Sequence, residues 1–242
     1  MTTARVQIFT VLLAVLVALC CSAGKKYPEW RGSNLGVTAE WNASPIAAVG
    51  NITGIAEYGK QTVQRLPWPM SPDVHRLYWC EGDFHVIAII KGEIHGRSGK
   101  YLWGSGMPGC KLSYGSQEGF QRFRTRVWLL REEDGYLRPT FDGGTHGFLG
   151  LYAPWNELSN LPPREQLGDL LVTPKANSDT LEDYAQYLWS IGDIACELLG
   201  KAECARRLRS LVELGNPTLK EAACNYLAGQ QQEPCSAPTP RP

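Results

Sequence analysis

The sequence carries no excess of charge of either sign. Its 24 Lys and Arg cancel its 24 Asp and Glu over 242 residues, so no global field draws it onto nucleic acid, an anionic membrane or a polyanionic substrate. Partners must be recognised locally. The sequence also contains no C-x-x-C pair and no zinc-ribbon or zinc-finger spacing, which argues against a structural metal. It has no nucleophile elbow. Ser116, in Gly115-Ser116-Gln117-Glu118-Gly119, misses that spacing by one residue and lacks a surrounding strand-turn-helix pattern, so a serine hydrolase is not expected. After residue 19 no apolar stretch reaches spanning length. What is plentiful is 25 Gly, 16 Pro and 8 Trp, a composition suited to short strands, many turns and large aromatic anchors rather than one long helical bundle. With 43% hydrophobic and 20% charged residues, wholesale disorder is excluded, and the length allows one large domain or two small ones.

Arg5 followed by the apolar run from Ile8 to Leu19 has the charged start and short apolar middle of a secretory signal. Small residues then allow cleavage after Ala23, making 1–23 a signal peptide. A competing cut before Cys20 or Cys21 would give a lipidated N-terminal cysteine, so a lipoprotein remains the rival reading. Cleavage after Ala23 leaves six cysteines, Cys80, Cys110, Cys196, Cys204, Cys224 and Cys235. An even number in an exported chain predicts disulfides rather than thiol chemistry. Two lie in the first half and four in the last 47 residues, which suggests two separately stapled units. Asn42-Ala43-Ser44 and Asn51-Ile52-Thr53 are glycosylation acceptors if the source is eukaryotic.

Residues 24–43 read as a loosely ordered lead-in with Trp30 and Trp41 as isolated anchors. Small, apolar and β-branched residues from Ile46 to Ala56 predict a strand that bends or bulges at its glycines. The three prolines of Leu66–Pro72 mark a surface excursion. Phe84–Ile90, Tyr101–Trp103, Arg126–Leu130, Tyr136–Phe141 and Phe148–Tyr152 continue the strand series, with a turn signal at Lys91-Gly92-Glu93 and an Asp-Gly hairpin turn at Glu133-Asp134-Gly135. Such a series predicts a small barrel or sandwich. A Pro-containing connector from Ala153 to Asn177 then leads to a helical pattern. Leu181, Tyr184, Leu188, Ile191, Ala195 and Leu198 form one apolar stripe, with Thr180 as cap and Gly200 as stop. A second helix runs from Ala202 to Leu214. A third follows Asn216-Pro217, with Leu219, Ala222, Ala223 and Tyr226 facing inward. Residues 231–242 form a polar tail.

Cys196 and Cys204 flank Gly200 at equal distance, so folding the helices back on that turn makes a Cys196–Cys204 bridge sterically natural. Cys224–Cys235 and Cys80–Cys110 complete one scheme. The second of these closes a loop worth about 3 kcal/mol in a chain-entropy treatment. The other scheme bonds Cys196 and Cys204 each to Cys224 or Cys235 and stays open at this point.

The strongest enzyme-like constellation is Asp83, His85, Glu93 and His95, with His75 nearby. Alternation in an extended chain puts Asp83 with His85 and Glu93 with His95, so a metal gripped between two strand ends would make a metal-assisted hydrolase. Against this, His85 shares its face with Ile87 and Ile89, which suits a hydrogen-bonded histidine at a core edge. Asp142-Gly143-Gly144-Thr145-His146-Gly147 is rich in backbone donors but lacks a following helix, so it reads as a hairpin loop. Arg122, Arg124 and Arg126 fall on one strand face, a pattern that binds phosphate or single strands. The balanced charge favours a solvated face instead. Arg206, Arg207 and Arg209 read as the wet side of the second helix. Trp30, Trp41, Trp68 and Trp155 fall in loops, where indoles anchor partners or pin connections to a core. Trp68, Trp155, Arg122, Arg124 and Arg126 are the binding candidates.

From Ser44 to about Ser159 the order of signals resembles the netrin-like, OB-fold module of TIMP-type metalloproteinase inhibitors and complement C-terminal domains. The stretches that carry it are Ala48–Thr53, Phe84–Gly92, the Cys110 segment, Val127–Leu130 before Asp134-Gly135, and Pro154–Leu158. The inhibitory wedge of that family needs a mature N-terminal Cys-x-Cys. Cys20 and Cys21 are adjacent and fall in the signal, so protease inhibition does not carry over with the fold. The helices resemble one and a half HEAT-type units, too few for a binding solenoid. The expectation is therefore an α+β protein: a small antiparallel OB-like β-barrel over 44–159 and a three-helix C-terminal segment over 178–230. It is expected to be secreted or held in the periplasm or cell envelope and to act as a non-catalytic binding module for an extracellular or envelope protein. No cofactor and no nucleic acid are expected, and membrane contact only through a lipid anchor. A metal-assisted hydrolase and a protease-inhibitor-like protein are the alternatives.

Overall fold

A computed structural model describes residues 27–32, 35–62, 76–95, 98–105, 110, 125–142, 148–151, 155, 161–178 and 180–229. Strand β1, Ile46–Thr62, runs antiparallel to β2, Arg76–Lys91. Their pairing shifts register at four places, one of them around Gly54, whose φ is 61°. The bends expected at the glycines are therefore bulges. Strand β3, Ser98–Ser105, pairs antiparallel with β2. Strands β4, Thr125–Glu133, and β5, Tyr136–Pro139, form a hairpin around Asp134 and Gly135. Both turn residues take positive φ, 53° and 79°, as a type I′ turn requires and an Asp-Gly pair supplies.

β5 lies parallel to β3 at Tyr101 and Leu137, and β4 returns to pair with β1 over Ile46–Val49. The order β1-β2-β3-β5-β4 thus closes on itself, and β6, Phe148–Leu151, adds to β4. Alternation along the closing strands is unambiguous. Ile46, Ala48, Trp128 and Leu130 join Phe84, Tyr101 and Trp103 in one buried cluster, whereas Ala47, Val49, Val127 and Leu129 join a second. Period-two patterning in which both faces are apolar means both faces are covered.

Helices cover the second face. They are α1, Val37–Ala43; α2, Pro163–Leu171; α3, Pro174–Asn177; α4, Leu181–Leu199; α5, Lys201–Val212; and α6, Pro217–Gly229. The expected capping holds: Asp183 N donates to Thr180 Oγ1 at 3.1 Å and Leu219 N to Asn216 Oδ1 at 2.8 Å. The apolar stripe of α4 is buried at Tyr184, Leu188, Ile191, Ala195 and Leu198, and α6 buries Leu219, Ala222, Ala223 and Tyr226.

Several expectations need correction. The lead-in is not loose: its second half is α1, and Trp41 is fully buried with its indole donating to Glu197 at 2.7 Å. The Ala153–Asn177 connector contains α2 and α3; Pro163 and Pro174 stand at helix starts, where a missing N–H costs nothing. The fold is mixed α+β with a five-strand ring, but the helical layer recruits α1 and α2 beyond the three expected helices. Ring strands and helices share one apolar cluster.

Cys80–Cys110 and Cys196–Cys204 are disulfides, with Cα atoms 5.6 Å and 5.0 Å apart. The scheme that bonds Cys196 and Cys204 to Cys224 or Cys235 is thereby overturned. Cys224 is also disulfide-bonded, while Cys235 lies outside the described residues. No helix among the described residues is long and apolar enough to cross a membrane.

Candidate functional site

β2 carries Asp83 and His85, but the two side chains serve different neighbours. Asp83 forms an ion pair with Lys100 of β3 at 2.8 Å, and His85 Nε2 shares a hydrogen bond with Thr53 Oγ1 of β1 at 2.9 Å. The Lys100 ammonium holds the Asp83 carboxyl below its ordinary range and is itself held above its own. Glu93 and His95 follow the end of β2, where Gly92 turns the chain, so strand alternation no longer governs them. Glu93 is exposed, and His95, 87% exposed, meets Glu132 of β4 at 3.5 Å. The four groups do not converge. Among the described residues no group of three or more His, Cys, Asp or Glu could hold a metal. His75 lies outside the described residues.

Of the binding candidates, Trp155 is half-buried against the cluster shared by ring and helices. Arg126 was expected on a solvated strand face and is instead buried, its guanidinium 5.8 Å from the Trp128 ring. The reason is alternation: Arg126 shares its face of β4 with Trp128 and Leu130, the face that the ring buries. Trp41 belongs to the core, not to a loop. Trp68, Arg122, Arg124, Ala23, Cys20, Cys21, Ser116 and His146 lie outside the described residues. On α5, Arg206 and Arg207 both bind Glu203, and Arg207 reaches Asp169 of α2 at 2.5 Å.

Two arrangements were not anticipated. At the β4–β5 end of the ring, Arg131 and Arg138 are buried around Asp142, with Nη2 atoms 3.3 Å and 2.9 Å from its Oδ2. Arg131 also donates to the carbonyls of Pro139 and Thr140, and Arg138 to Glu133 at 2.5 Å. Burial raises the Asp142 carboxyl against the pull of Arg138, the Arg31 N–H and Arg131. At Glu133 burial also pushes upward, but Arg131 and Arg138 outweigh it and the carboxyl sits below its usual range. Alternation puts Arg131 with Glu133, and Asp142 follows Arg138 by four positions; these were the available signals. The burial was not legible because it depends on the ring closing above them.

The second arrangement is a cleft of about 300 Å³ between α4, α5 and α6, lined by Asp193, Cys196, Glu197, Lys201, Tyr226 and Leu227 among others. Tyr226 Oη donates to Asp193 Oδ1 at 2.6 Å, and Trp189, 54% exposed, stands edge-on to Tyr226 at 6.1 Å. Both arrangements are suited to holding other groups in place. No known family profile, no curated protein and no solved structure matches the chain.

Proposed function

We propose that the protein is an exported, non-catalytic binding module built on an OB-like ring. Closure in the order β1-β2-β3-β5-β4, with β3 and β5 as the parallel pair, supports the OB-like assignment. Two disulfides support an oxidising compartment, hence the cell envelope or the exterior. The observation that carries the binding reading is that the ring is filled by Phe84, Tyr101, Trp103 and Trp128 while Asp83, His85 and His95 are each engaged separately outside it. A packed interior leaves recognition to the outer surface.

The test is metal analysis of the purified mature protein together with N-terminal sequencing and fractionation of native cells. The expected result is a start at residue 24, an extracytosolic location and no stoichiometric zinc. Zinc at one per chain that disappears in His85→Ala/His95→Ala would replace this reading with the metal-assisted hydrolase. A mature N-terminal cysteine bearing lipid would make the module a tethered one, and a free N-terminal cysteine amine would reopen protease inhibition.

A further inference from the structure

Tyr27-Pro28-Glu29-Trp30-Arg31 lies against the outer face of β1, β2 and β3 without belonging to any strand or helix. Pro28 restricts its own φ and disfavours helix at Tyr27. In polyproline II geometry, residues three apart project to the same side, which suits an aromatic pair at positions 27 and 30. Each ring occupies a seat cleared by a glycine. A Cβ on Gly59 would come within 2.7 Å of Tyr27 Oη, and one on Gly104 within 2.4 Å of Trp30 Cζ3. Beneath them lie Leu77, Trp79 and Leu102, almost wholly buried, and Tyr58 meets Tyr27 edge-on at 6.4 Å.

The polar contacts go mainly to the segment's backbone. Arg138 Nη2 donates to the Glu29 carbonyl at 3.1 Å, Arg31 N donates to Asp142 Oδ2 at 3.1 Å, and Asp142 N donates to the Arg31 carbonyl at 2.6 Å. The Arg31 side chain adds an ion pair with Glu133 at 3.3 Å. Main-chain hydrogen bonds supply affinity for any extended chain, and side-chain seats supply selectivity; this division of labour is that of a peptide-recognition groove.

We propose that this face is a binding groove for an extended peptide of the form aromatic-x-x-aromatic-basic, and that residues 27–31 are its resident occupant, displaced when a partner protein presents such a segment. The inference rests on the binding-module reading and gives that module a ligand class. The buried Asp142–Arg138 pair then has a use: it fixes the donors and acceptor that read the peptide backbone.

To test it, a protease recognition sequence is inserted between Ser33 and Asn34, so that the folded, oxidised protein can be cut and the occupant becomes a separate strand. A fluorescent peptide of sequence Tyr-Pro-Glu-Trp-Arg is then added, and uptake is followed by polarisation. Saturable uptake is expected by the cut protein, and by the intact chain only at higher peptide concentration, because there the tethered segment competes for the seats. Replacing Trp by Ala in the peptide should weaken it roughly thirtyfold, the loss typical of an aromatic hot spot. Gly104→Val in the cut protein should abolish uptake by filling the Trp30 seat. As a second variant, uncut Tyr27→Ala/Trp30→Ala should take up the peptide while its near-UV spectrum remains native.

No uptake by cut protein from which the original fragment has dissociated overturns the proposal. So does equal uptake by the intact chain, collapse of the fold on cutting, or formation of exchanged dimers in place of peptide binding. These results leave the compartment and zinc measurements untouched, so failure here is distinguishable from failure of the binding-module reading.

Discussion

Trp41→Ala tests whether ring and helices unfold as one body. Trp41 is fully buried on α1, its indole donates to Glu197 of α4, and its carbonyl accepts from Lys91 at the end of β2 at 2.8 Å. One residue therefore joins three elements that are distant in sequence. Truncating a buried tryptophan costs about 3–5 kcal/mol, from lost transfer energy and the cavity left behind. At this chain length that corresponds to a fall in Tm of roughly 6–20 °C. Trp41→Phe keeps most of the packing and removes the bond to Glu197, whose side chain is 43% exposed, so solvent screening limits that loss to about 1 kcal/mol. The assay is urea unfolding followed in parallel by far-UV and near-UV circular dichroism. Coincident transitions displaced to lower urea, with the slope unchanged, are expected. If the far-UV transition separates from the near-UV one, or Trp41→Ala loses less than about 1 kcal/mol, the shared core is not a cooperative unit and the reasoning fails.

The remaining predictions concern the staples, the caps and pH. Cys80→Ser/Cys110→Ser opens a loop of sequence separation 30 and Cys196→Ser/Cys204→Ser one of separation 8; the chain-entropy treatment gives about 3.6 and about 2.5 kcal/mol, and denaturant midpoints should rank them in that order. Asn216→Ala removes the acceptor for Leu219 N and should cost about 1 kcal/mol, read from the same curves, whereas Asn216→Gly should cost only a few tenths. Arg206 and Arg207 hold the Glu203 carboxyl down at about 2. Because the folded value lies below the unfolded one, this carboxylate's contribution is present above the ordinary Glu range and is lost as pH falls towards 2. A carbon-detected NMR titration should place Glu203 there, and an ordinary midpoint in the folded protein would contradict the Arg206–Glu203–Arg207 arrangement.

Local chemistry was legible wherever a residue's role depends on near neighbours in sequence. The Asp134-Gly135 turn, the Thr180 and Asn216 caps and the α4 stripe each follow from a handful of adjacent residues, and the structure has them where the pattern places them. The Cys196–Cys204 bridge is of the same kind. Errors gathered where distant contacts override local signals. Polar and glycine-rich surroundings hid α1, because its stability comes from Trp41 reaching α4 rather than from its own seven residues. Prolines suggested a connector over 153–177, yet two of them start helices. The Asp83–His85 alternation was sound, but no pattern in one strand reveals that Lys100 and Thr53 stand ready on its two neighbours.

The same limit applies to the charged end of the ring, where the outcome of mutation is decided by which charges lose their partners. Asp142, Arg138 and Arg131 expose 0%, 1% and 7% of their side chains, so each was desolvated on folding and is tolerated only through the others. Asp142→Asn keeps the shape and removes the charge, leaving two buried guanidinium groups to share Glu133. The expected cost is about 3–5 kcal/mol. Arg138→Met removes the nearer guanidinium from the buried carboxylate, leaving it to Arg131 at 3.3 Å and the Arg31 N–H, and should cost a similar amount. Arg138→Met/Asp142→Leu removes both charges, while Arg131 retains Glu133 and the carbonyls of Pro139 and Thr140. The double variant should therefore lose much less than the sum of the singles, with a coupling of several kcal/mol in a double-mutant cycle. Strict additivity would mean that the two side chains do not depend on each other, and the ion pair could then be neither the anchor of this end of the ring nor the support for the Arg31 backbone.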